Sequence, residues 1–420
     1  MKVMVIGGGA REHAIVWKLR ASLQVTDIFT APGNAGTAQL GTNIDVAATD
    51  VEGLVAAAKL NNIDMTVVGP ETALGAGVVD RFQSEGLIIA GPTQAAARIE
   101  TSKAFAKDLM LKYHIPTGKA KLFTNYEKAI HYVEHMPMPA VVKADGLAAG
   151  KGVTVCQTRE EALQALREAM EEQVFGASGD RVLIEECLFG QEISVFTFTD
   201  GVHLSPLVAA CDYKRIGDGD QGPNTGGMGS YSPPRVWDEA LAEQVMSVIM
   251  APTVKALAAE GFPFQGVLYG GIILTQEGPK VIEFNARWGD PETQTVLPRL
   301  QTDLLEAYLA TVNNTVDQAK IEWSEDACVG VVMASGGYPG DYVRGFPING
   351  LDTIDDGVSV FHAGTKPQAG GVAGLPITSG GRVLTVSAMG ASLELARQHA
   401  YNNVARIAFE GAQYRKDIAT

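Results

Sequence analysis

The chain has 420 residues, with 46% hydrophobic and 19% charged residues and a formal net charge of −15. This length exceeds one ordinary hydrophobic core and predicts about three domains. The acidic balance argues against a nucleic-acid partner, because the sequence has no basic stripe that would neutralise a phosphate backbone. An anionic substrate would therefore need a local positive pocket.

Cysteine usage and the N-terminus indicate the compartment. The cysteines, at positions 156, 187, 211 and 328, lie far apart and form no C-x-x-C pair. The apolar run at 1–6 breaks into glycine before a signal peptide could form, and we expect no stretch of membrane-spanning length. The sequence therefore predicts free thiols in a cytoplasmic protein with no membrane partner.

The first 100 residues alternate short apolar runs with helical patterns. The apolar runs lie at 3–6, 28–29, 65–68 and 87–90, and the helical patterns at 11–21, 51–60 and 73–85. This alternation predicts βαβ units and a parallel, doubly wound sheet. The ligand crevice of such a sheet lies at the carboxyl ends of its strands.

Three glycine-bearing turns fall at these strand ends, at 7–13, 32–37 and 69–71. The first turn follows a strand and opens a helix, but Glu12 replaces the third glycine of the dinucleotide pattern G-x-G-x-x-G. Glycines at a helix N-terminus, with Arg11 beside them, still form a seat for a single phosphate. A phosphorylated sugar is therefore favoured over a dinucleotide.

Lysines further along the chain suit the phosphates of a nucleotide. Ser102 is a good N-cap for a helix that carries Lys103 and Lys107 on one face. An apolar strand at 140–142 ends in Lys143. The glycine-rich loop that follows would bring further backbone N–H groups to the same anion.

This glycine-rich loop spans 145–152 and contains Lys151. It is not a Walker A loop, because neither Ser nor Thr follows the lysine and the next element is a strand rather than a helix. The alternative is a flexible hairpin. The spacing of Lys143 and Lys151 favours a loop that closes over one ligand.

Two stretches after this loop contain further binding candidates. The strand at 181–186 turns at Leu188, where backbone groups can read an adenine, and Glu192 follows for the ribose hydroxyls. Without other evidence this would be only a charged strand end. The long loop at 217–232 is rich in glycine, and such loops inside compact domains are more often functional than idle.

The stretch 281–295 begins as a strand and places Glu283, Asn285 and Arg287 on one face. Carboxylate and amide oxygens are hard ligands of the kind that hold Mg²⁺ beside phosphate oxygens. The arginine can bind an anion that the metal does not reach. The alternative is a half-exposed strand with polar residues facing water.

The sequence HYVEH at 131–135 matches the H-x-x-E-H pattern of inverted zinc peptidases. It lies in an amphipathic helix, and no partner that would build a cavity is evident. We interpret it as a solvated helix face.

Taken together, these motifs make the chain resemble the phosphoribosylamine–glycine ligase (glycinamide ribonucleotide synthetase) family of the ATP-grasp superfamily, over essentially its whole length. The matching motifs, in order, are GGGAREHA, PGNAGT, VGPE, KADGLAAGKG, EE-x-L, GPNTGGMG, LYGGI, EFNARWGDPETQ, HAGTK and GGRVL. The segments RWGDPETQ and GPNTGGMG are the most specific of these.

The resemblance implies an α/β and α+β multidomain fold with a two-lobed ATP-grasp core. We expect a Rossmann-like substrate domain at 1–101, an ATP-grasp domain at 102–325 with a lid lobe at about 118–190, and a small α+β domain at 326–420. The implied reaction joins glycine to 5-phosphoribosylamine in purine biosynthesis. ATP is consumed, and Mg²⁺ or Mn²⁺ is the implied metal.

Residue roles follow from the same resemblance. ATP would be held by Lys103, Lys143, Asp145, Gly146, Gly150, Lys151, Gly152, Glu185, Glu186, Leu188 and Glu192. The metal would be held by Glu283 and Asn285, and the catalytic residues would be Lys151, Arg287 and Asp290. Phosphoribosylamine and glycine would contact Gly7, Gly9, Arg11, Glu12, Gly33, Asn34, Gly36, Thr37, Pro70, Glu71, Lys214, Asn224, Thr225, Gly226, Arg287, Asp290, Pro291 and Glu292.

One departure and several alternatives accompany this interpretation. Residues 268–272 offer no carboxylate for a second metal, although ATP-grasp enzymes often have one on that strand. Other hypotheses are a different ATP-grasp carboxylate–amine ligase, a nucleotide-binding regulator without catalysis, and a dinucleotide-dependent oxidoreductase. We expect a monomer or a weak homodimer.

Overall fold

The computed structural model describes residues 1–146, 152–368 and 375–420. Gly150 and Lys151, which the sequence assigns to the glycine-rich loop, lie outside these residues. The described part of the chain confirms the predicted fold class. It contains a parallel sheet at the N-terminus, a separate smaller lobe and a large antiparallel sheet.

The N-terminal segment is the predicted doubly wound sheet. Its elements are β1 (Lys2–Gly7), α1 (Ala10–Arg20), β2 (Asp27–Pro32), α2 (Thr37–Leu40), β3 (Thr42–Asn43), α3 (Val51–Leu60), β4 (Met65–Val68), α4 (Glu71–Gly75), α5 (Val78–Ser84), β5 (Ile89–Ala90) and α6 (Gln94–Thr101). All strands are parallel, in the order β3–β2–β1–β4–β5. The order reverses between β1 and β4, so their carboxyl ends flank the crevice.

A smaller lobe follows. It is preceded by helix α7 (Lys103–Lys112), which packs against α6. The elements of the lobe itself are β6 (Ala120–Phe123), α8 (Tyr126–His135), β7 (Ala140–Ala144), β8 (Val153–Cys156), α9 (Arg159–Met170) and β9 (Val182–Glu186). The strands form an antiparallel sheet in the order β6–β9–β7–β8. Helices α8 and α9 pack on it around a core that includes Val133, Val142, Leu166 and Ile184. The lobe therefore has its own core.

The remaining described segments build one large antiparallel sheet and two separate two-stranded sheets. The core elements are β10 (Gln191–Asp200), β11 (Val208–Asp212), β12 (Arg215–Gly217), β13 (Gln221–Asn224), β14 (Gly229–Ser232), α10 (Glu239–Val245), α11 (Ala251–Ala259), β15 (Gln265–Thr275), β16 (Gly278–Asn285), α12 (Thr293–Val296) and α13 (Leu304–Val312). The C-terminal elements are β17 (Ala327–Ala334), β18 (Val358–His362), β19 (Thr365–Pro367), β20 (Pro376–Thr378), β21 (Arg382–Gly390) and α14 (Leu393–Val404). The sheet runs β16–β15–β10–β11–β14–β17–β21–β18, so the C-terminal strands extend the sheet that carries Glu283 and Asn285.

One helical segment corrects a sequence expectation. Helices α10 and α11, joined by a π-helical turn at Met246–Met250, form a run of 21 residues with a hydropathy of 1.2, which is long and apolar enough to cross a membrane. The expectation that no stretch reaches this length is therefore wrong. Ile249, Val254 and Leu257 pack into the core. Length and composition are weak evidence for a membrane span, because the core helices of soluble proteins pass the same test.

A histidine pair joins the first and last segments. His13 on α1 accepts a hydrogen bond at its Nδ1 from the backbone N–H of His362, at 2.8 Å, and the two rings lie 5.5 Å apart. Both side chains are buried. Burial lowers the pKa of His362 to about 4, and burial together with the neighbouring His362 lowers the pKa of His13 to about 3.

This pair predicts acid sensitivity. An unfolded histidine has a pKa near 6.5, so between about pH 6.5 and 4 the unfolded chain binds up to two more protons than the folded chain. The stability from the neutral rings is complete above about pH 6.5. It is lost as the pH falls, at up to about 2.7 kcal/mol per pH unit.

Urea unfolding between pH 7 and 4.5 measures this slope, and His362→Gln should remove about half of it. His399→Gln, at an exposed position on α14, is the control and should keep the wild-type slope. An unchanged slope in His362→Gln would contradict the assignment.

Candidate active site

A cavity of about 390 Å³ is lined by side chains from the N-terminal sheet, the small lobe, the large sheet and the C-terminal segment. Its charged lining residues are Arg11, Glu71, Glu100, Lys103, Lys107, Lys143, Glu185, Glu283, Arg287, Asp290 and Arg382. Basic groups slightly outnumber acidic groups. The acidic chain thus contains the local positive pocket that an anionic substrate requires.

Strand β16 presents the two predicted metal ligands to this cavity. Glu283 and Asn285 both line it, and Asn285 is only 8% exposed. Across β15 they face Gly271 and Tyr269, which supply no carboxylate. Within residues 1–146, 152–368 and 375–420, neither side chain has a hydrogen-bond partner. An unpaired carboxylate and a nearly buried amide are a donor set that fits a divalent cation.

A buried ion-pair cluster stands beside this strand. Glu185 on β9 contacts Lys143 Nζ at 2.9 Å and Lys107 Nζ at 3.1 Å. Lys143 also donates to the carbonyl of Ile282, at 3.2 Å, where the β16 register shifts by one residue. One carboxylate therefore holds two ammonium groups at the cavity wall.

Lys103 is the third ammonium group of the predicted nucleotide site. Its Nζ donates to the carbonyl of Gly146, at 2.8 Å, where the glycine-rich loop begins. Burial lowers its pKa, and the neighbouring Glu283 partly offsets this effect. Gly152, at the other end of the loop, also lines the cavity.

Asp145 is placed differently from its neighbours. Its Oδ1 accepts from the N–H of Ala104, at 3.1 Å, and from the Ser102 hydroxyl, at 3.2 Å, while Oδ2 pairs with Arg181. Its carboxylate thus caps α7, the helix that carries Lys103. It lies behind the nucleotide candidates and ties the small lobe to them.

Arg287 pairs with two carboxylates of the N-terminal segment. Its Nε lies 3.1 Å from Glu71 Oε2, Nη2 lies 2.5 Å from Glu100 Oε1, and Nη1 donates to the carbonyl of Trp288, at 3.2 Å. Its charge is already compensated by these groups. The sequence prediction that Arg287 binds an anion which the metal does not reach stays a prediction. In this structure the guanidinium contacts carboxylates of the protein.

The pKa values of the two carboxylates shift in opposite directions, although Arg287 acts to lower both. Burial raises the pKa of Glu100 to about 7, although Arg287 acts to lower it. Burial also acts to raise the pKa of Glu71, but Arg287 and Arg11 outweigh it and lower this pKa to about 2. Glu71 is thus ionised at neutral pH, whereas Glu100 titrates near neutrality.

Glu12, which replaces the third glycine of the dinucleotide pattern, is bonded within the first turn. Its Oε2 accepts from the N–H of Gly9, at 2.7 Å, and its Oε1 pairs with Arg11 Nε, at 2.6 Å. The side chain fills the space in which a Cβ on Gly7 or Gly69 would lie. It therefore braces the turns after β1 and β4 from within, and Arg11 and Glu71 face the cavity.

The turn after β2 packs onto the first turn. Asn34 donates to the carbonyls of Gly8, at 3.0 Å, and His362, at 2.6 Å, and accepts from the N–H groups of Gly36 and Thr37. A Cβ on Gly8 would collide with the carbonyl of Gly33, at 2.7 Å. The structure therefore brings these predicted substrate residues together, with Asn34 internal to the arrangement.

The 289–292 turn contacts residues 223–229 of the second loop rich in glycine, the loop at 217–232. Asp290 accepts from Gln294 Nε2, at 2.8 Å, and from Arg382 Nη2, at 2.9 Å. The carbonyl of Pro291 accepts from the Ser230 hydroxyl, at 2.9 Å. Glu292 is buried, and its Oε1 accepts from the Ser194 hydroxyl, at 2.8 Å. Asp290 and Gly226 line the cavity.

The other predicted residues lie nearer the surface. Glu192 and Lys214 form an ion pair and, with Glu283, line a second cavity of about 10 Å³. Glu186 accepts from the N–H of Lys119, at 2.9 Å. Leu188 lies near Gly118, and Pro70 occupies the N-cap position of α4. In the loop at 217–232, Asn224 is exposed and Thr225 is partly buried.

Three charged cavity residues were not assigned a role from sequence. Lys107 had a usable signal, because it lies one turn after Lys103 on the same helix. Arg382 lies in the GGRVL motif, but its position in the chain gives no indication of its contact with Asp290. Glu100, at the end of α6, had no sequence signal.

The H-x-x-E-H match lies on the surface of α8. One ligand atom from each of His131, Glu134 and His135 lies within 4.8 Å of the others, and all three residues are exposed. Their exposed positions agree with our interpretation of this match as a solvated helix face, which stays a prediction.

The lysines, the carboxylate–amide pair and the cleft beside a separate antiparallel lobe define an ATP-grasp enzyme. Consistent with this, the chain matches the models of the N domain of phosphoribosylglycinamide synthetase over residues 1–100, its ATP-grasp (A) domain over 101–293, and its C domain over 328–420. The chain therefore belongs to the phosphoribosylglycinamide synthetase family and is an ATP-dependent ligase.

Individual relatives agree. Phosphoribosylamine–glycine ligase of Caldanaerobacter subterraneus subsp. tengcongensis is 48% identical, with 100% of this chain and 99% of the relative covered. The solved structure of the Thermotoga maritima phosphoribosylamine–glycine ligase has a TM-score of 0.84 at 31% identity, with 100% of both chains covered. A biotin carboxylase domain from Hydrogenobacter thermophilus, solved with MgADP and bicarbonate, is similar in fold alone, with a TM-score of 0.73, 16% identity, and 98% of this chain and 91% of that chain covered.

The Glu185 cluster predicts a large stability effect. Glu185→Gln should leave two buried ammonium groups without their shared carboxylate and lower the free energy of unfolding by about 3 kcal/mol. Urea unfolding at pH 7 measures this loss.

Glu85→Gln is the matched control, because Glu85 also bridges two cations, Lys59 and Arg81, but at the surface. Its effect should be much smaller, because water already solvates exposed ion pairs. Equal losses in the two variants would contradict the buried cluster.

Proposed function

We propose that this protein ligates glycine to 5-phosphoribosylamine in de novo purine biosynthesis, with conversion of ATP to ADP and phosphate through a glycyl phosphate. The observation that carries this proposal is one cavity with three sets of lining residues: the lysines Lys103 and Lys143, the oxygen ligands Glu283 and Asn285, and Arg11 and Glu71 from the turns after β1 and β4. Three substrates can meet only where their separate binding groups converge. The name of the Caldanaerobacter relative supports the choice of substrates.

Lys103 and Lys143 are suited to the phosphates of ATP. In the structure their ammonium groups contact a backbone carbonyl and Glu185, and phosphate oxygens would replace or add to these acceptors. The loop at 145–152, including Gly150 and Lys151, would then close over the nucleotide. Closure protects an acyl phosphate from hydrolysis. Glu185, Glu186, Leu188 and Glu192 are the proposed adenosine contacts.

Glu283 and Asn285 would hold Mg²⁺ or Mn²⁺. Such a cation supplies charge neutralisation at the transferring phosphoryl group. The protein side chains act on the same charge: Lys103, Lys143 and the loop lysine, Lys151, neutralise the oxygens, while the walls of the cavity position the reactants. No side chain is needed as a covalent nucleophile, because the carboxylate of glycine attacks the γ-phosphorus.

The sugar phosphate is proposed to bind at the turns after β1, β2 and β4. Arg11 and the backbone N–H groups at the start of α1 would bind its phosphate, and Glu71 its hydroxyl or amine groups. Asp290 lies beside this seat, since a Cβ on Gly9 would be 3.8 Å from its Oδ2. The amine can therefore reach the glycyl phosphate between the turn at 7–9 and the turn at 289–292.

The wider assignments are also part of the proposal. Residues 1–101 form the substrate domain, 102–325 the ATP-grasp domain and 326–420 the C-terminal domain. We propose a cytoplasmic enzyme that acts as a monomer or a weak homodimer, without nucleic-acid or membrane partners.

Trapping the acyl intermediate tests the reaction. ATP, glycine and hydroxylamine should yield glycyl hydroxamate and ADP, because hydroxylamine takes the place of the attacking amine. Bicarbonate and formate should not replace glycine. Absence of glycine-dependent ADP release, with and without phosphoribosylamine, would contradict the proposed function.

Glu283→Ala tests the metal ligand. The variant should lose turnover and bind Mn²⁺ at least about tenfold more weakly in the presence of ADP, because one of two protein ligands is gone. Electron paramagnetic resonance measures free Mn²⁺, and thermal unfolding checks that the fold is intact.

Glu277→Ala, on the exposed turn of the same hairpin, is the control and should bind Mn²⁺ like the wild type. Unchanged Mn²⁺ affinity in Glu283→Ala would remove this residue from the metal site.

A further inference from the structure

Arg382 is a C-terminal residue whose guanidinium lies in the catalytic cavity. It is the first residue of β21, yet its contacts are with the ATP-grasp domain. Nη2 pairs with Asp290 Oδ2, at 2.9 Å, and Nη1 donates to the backbone carbonyls of Asp290, at 3.1 Å, and Gly226. The arginine thus binds the main chain and the side chain of the same turn residue.

Asp290 is held from two sides. Gln294 donates to Oδ1, at 2.8 Å, while Arg382 donates to Oδ2. A carboxylate with a donor on each oxygen cannot rotate freely about its side-chain bonds. Both oxygens keep further lone pairs, so the group can still accept a hydrogen bond from a substrate amine.

The neighbouring loop at 223–229 is also held by residues of the C-terminal domain. The N–H of Gly226 donates to the hydroxyl of Tyr338, at 2.9 Å, and its carbonyl accepts from Arg382. A Cβ at position 226 would approach the guanidinium carbon to 3.0 Å. Because Gly226 has no side chain, the guanidinium of Arg382 can contact the backbone of this loop.

The backbone of Arg382 is connected by hydrogen bonds to the N-terminal turns that we propose bind the sugar phosphate. Its carbonyl accepts from the N–H of Gly364, at 3.0 Å, two residues after His362. The peptide groups of His362 bond to His13 and Asn34 of the N-terminal turns. The C-terminal domain therefore connects the turns at 7–9 and 32–37 to Asp290 through a continuous set of hydrogen bonds.

We infer that Arg382 is a positioning residue for the second half-reaction, in which phosphoribosylamine attacks glycyl phosphate. In this step the amine nitrogen bonds to the glycyl carbonyl carbon, the carbon–oxygen bond to phosphate breaks, and the proton of the amine ends on the released phosphate. Asp290, fixed by Arg382, orients the amine. Attack requires such orientation, and a displaced acceptor costs rate rather than binding. The inference depends on the proposed function.

Separate assays of the two half-reactions test this role. Arg382→Met should lower kcat for glycinamide ribonucleotide formation about 100-fold, with phosphoribosylamine generated in the assay from ribose 5-phosphate and ammonia. Formation of glycyl hydroxamate from ATP, glycine and hydroxylamine should change less than about threefold, because free hydroxylamine does not use the orienting group. Arg382→Lys, which keeps one charged donor, should recover part of the lost kcat.

A double-mutant cycle tests the route through Asp290. Asp290→Asn combined with Arg382→Met should be no slower than the worse single variant, because both changes remove one interaction. Arg406→Met, which removes a surface arginine of the same domain that pairs with Asp355, is the control and should keep both activities.

The outcomes separate the inference from the proposed function. If the wild-type protein forms no glycyl hydroxamate and no ligation product, the proposed function fails. If the wild-type protein forms both, the inference is overturned by equal loss of both half-reactions in Arg382→Met, by no loss in either, or by fully additive effects in the cycle. Thermal unfolding of each variant identifies a loss of fold, and Arg382→Lys then carries the comparison.

Discussion

The arrangement of the active site depends on one guanidinium group. Arg287 lies two residues after β16 and contacts Glu71 and Glu100, which lie on α4 and α6 of the N-terminal segment. Two carboxylates and one backbone carbonyl surround it, so its position is fixed by charge as well as by packing. This pairing sets the distance between the turn after β4 and the strand that carries Glu283. A displacement here would separate the substrates that the enzyme must join.

The same principle recurs among the cations of the cavity. In a chain with a net charge of −15, each lysine of the cavity would be costly to bury alone. Glu185 holds Lys107 and Lys143, and the carbonyl of Gly146 holds Lys103. The lysines are thereby kept ordered at the cavity wall before any phosphate arrives. Binding of a nucleotide then becomes an exchange of acceptors rather than the ordering of long side chains.

The C-terminal domain contributes to the site as well as to the fold. Its strands β17, β21 and β18 extend the sheet that carries Glu283 and Asn285, so its orientation is set by backbone hydrogen bonds. Arg382 lies at the start of β21, and His362 lies at the end of β18. Both positions face other domains across polar contacts that are buried or partly buried. The C-terminal domain is therefore connected both to the N-terminal segment and to the 289–292 turn.

The sequence by itself determined the elements and the chemistry that local patterns encode. Alternating apolar runs predicted the parallel sheet, strand alternation placed Glu283 and Asn285 on one face, and Ser102 marked the start of the lysine-bearing helix. These features depend on residues close together in the chain. Tertiary structure decided the pairings between distant residues: Arg287 with Glu71 and Glu100, Glu185 with two lysines, and Arg382 with Asp290. Sequence reasoning predicted that Arg287 binds an anion but did not predict Glu71 and Glu100 as its partners, because residues so far away in the chain leave no local pattern. Which charges meet, and which remain open for substrates, is fixed only when the sheets pack together.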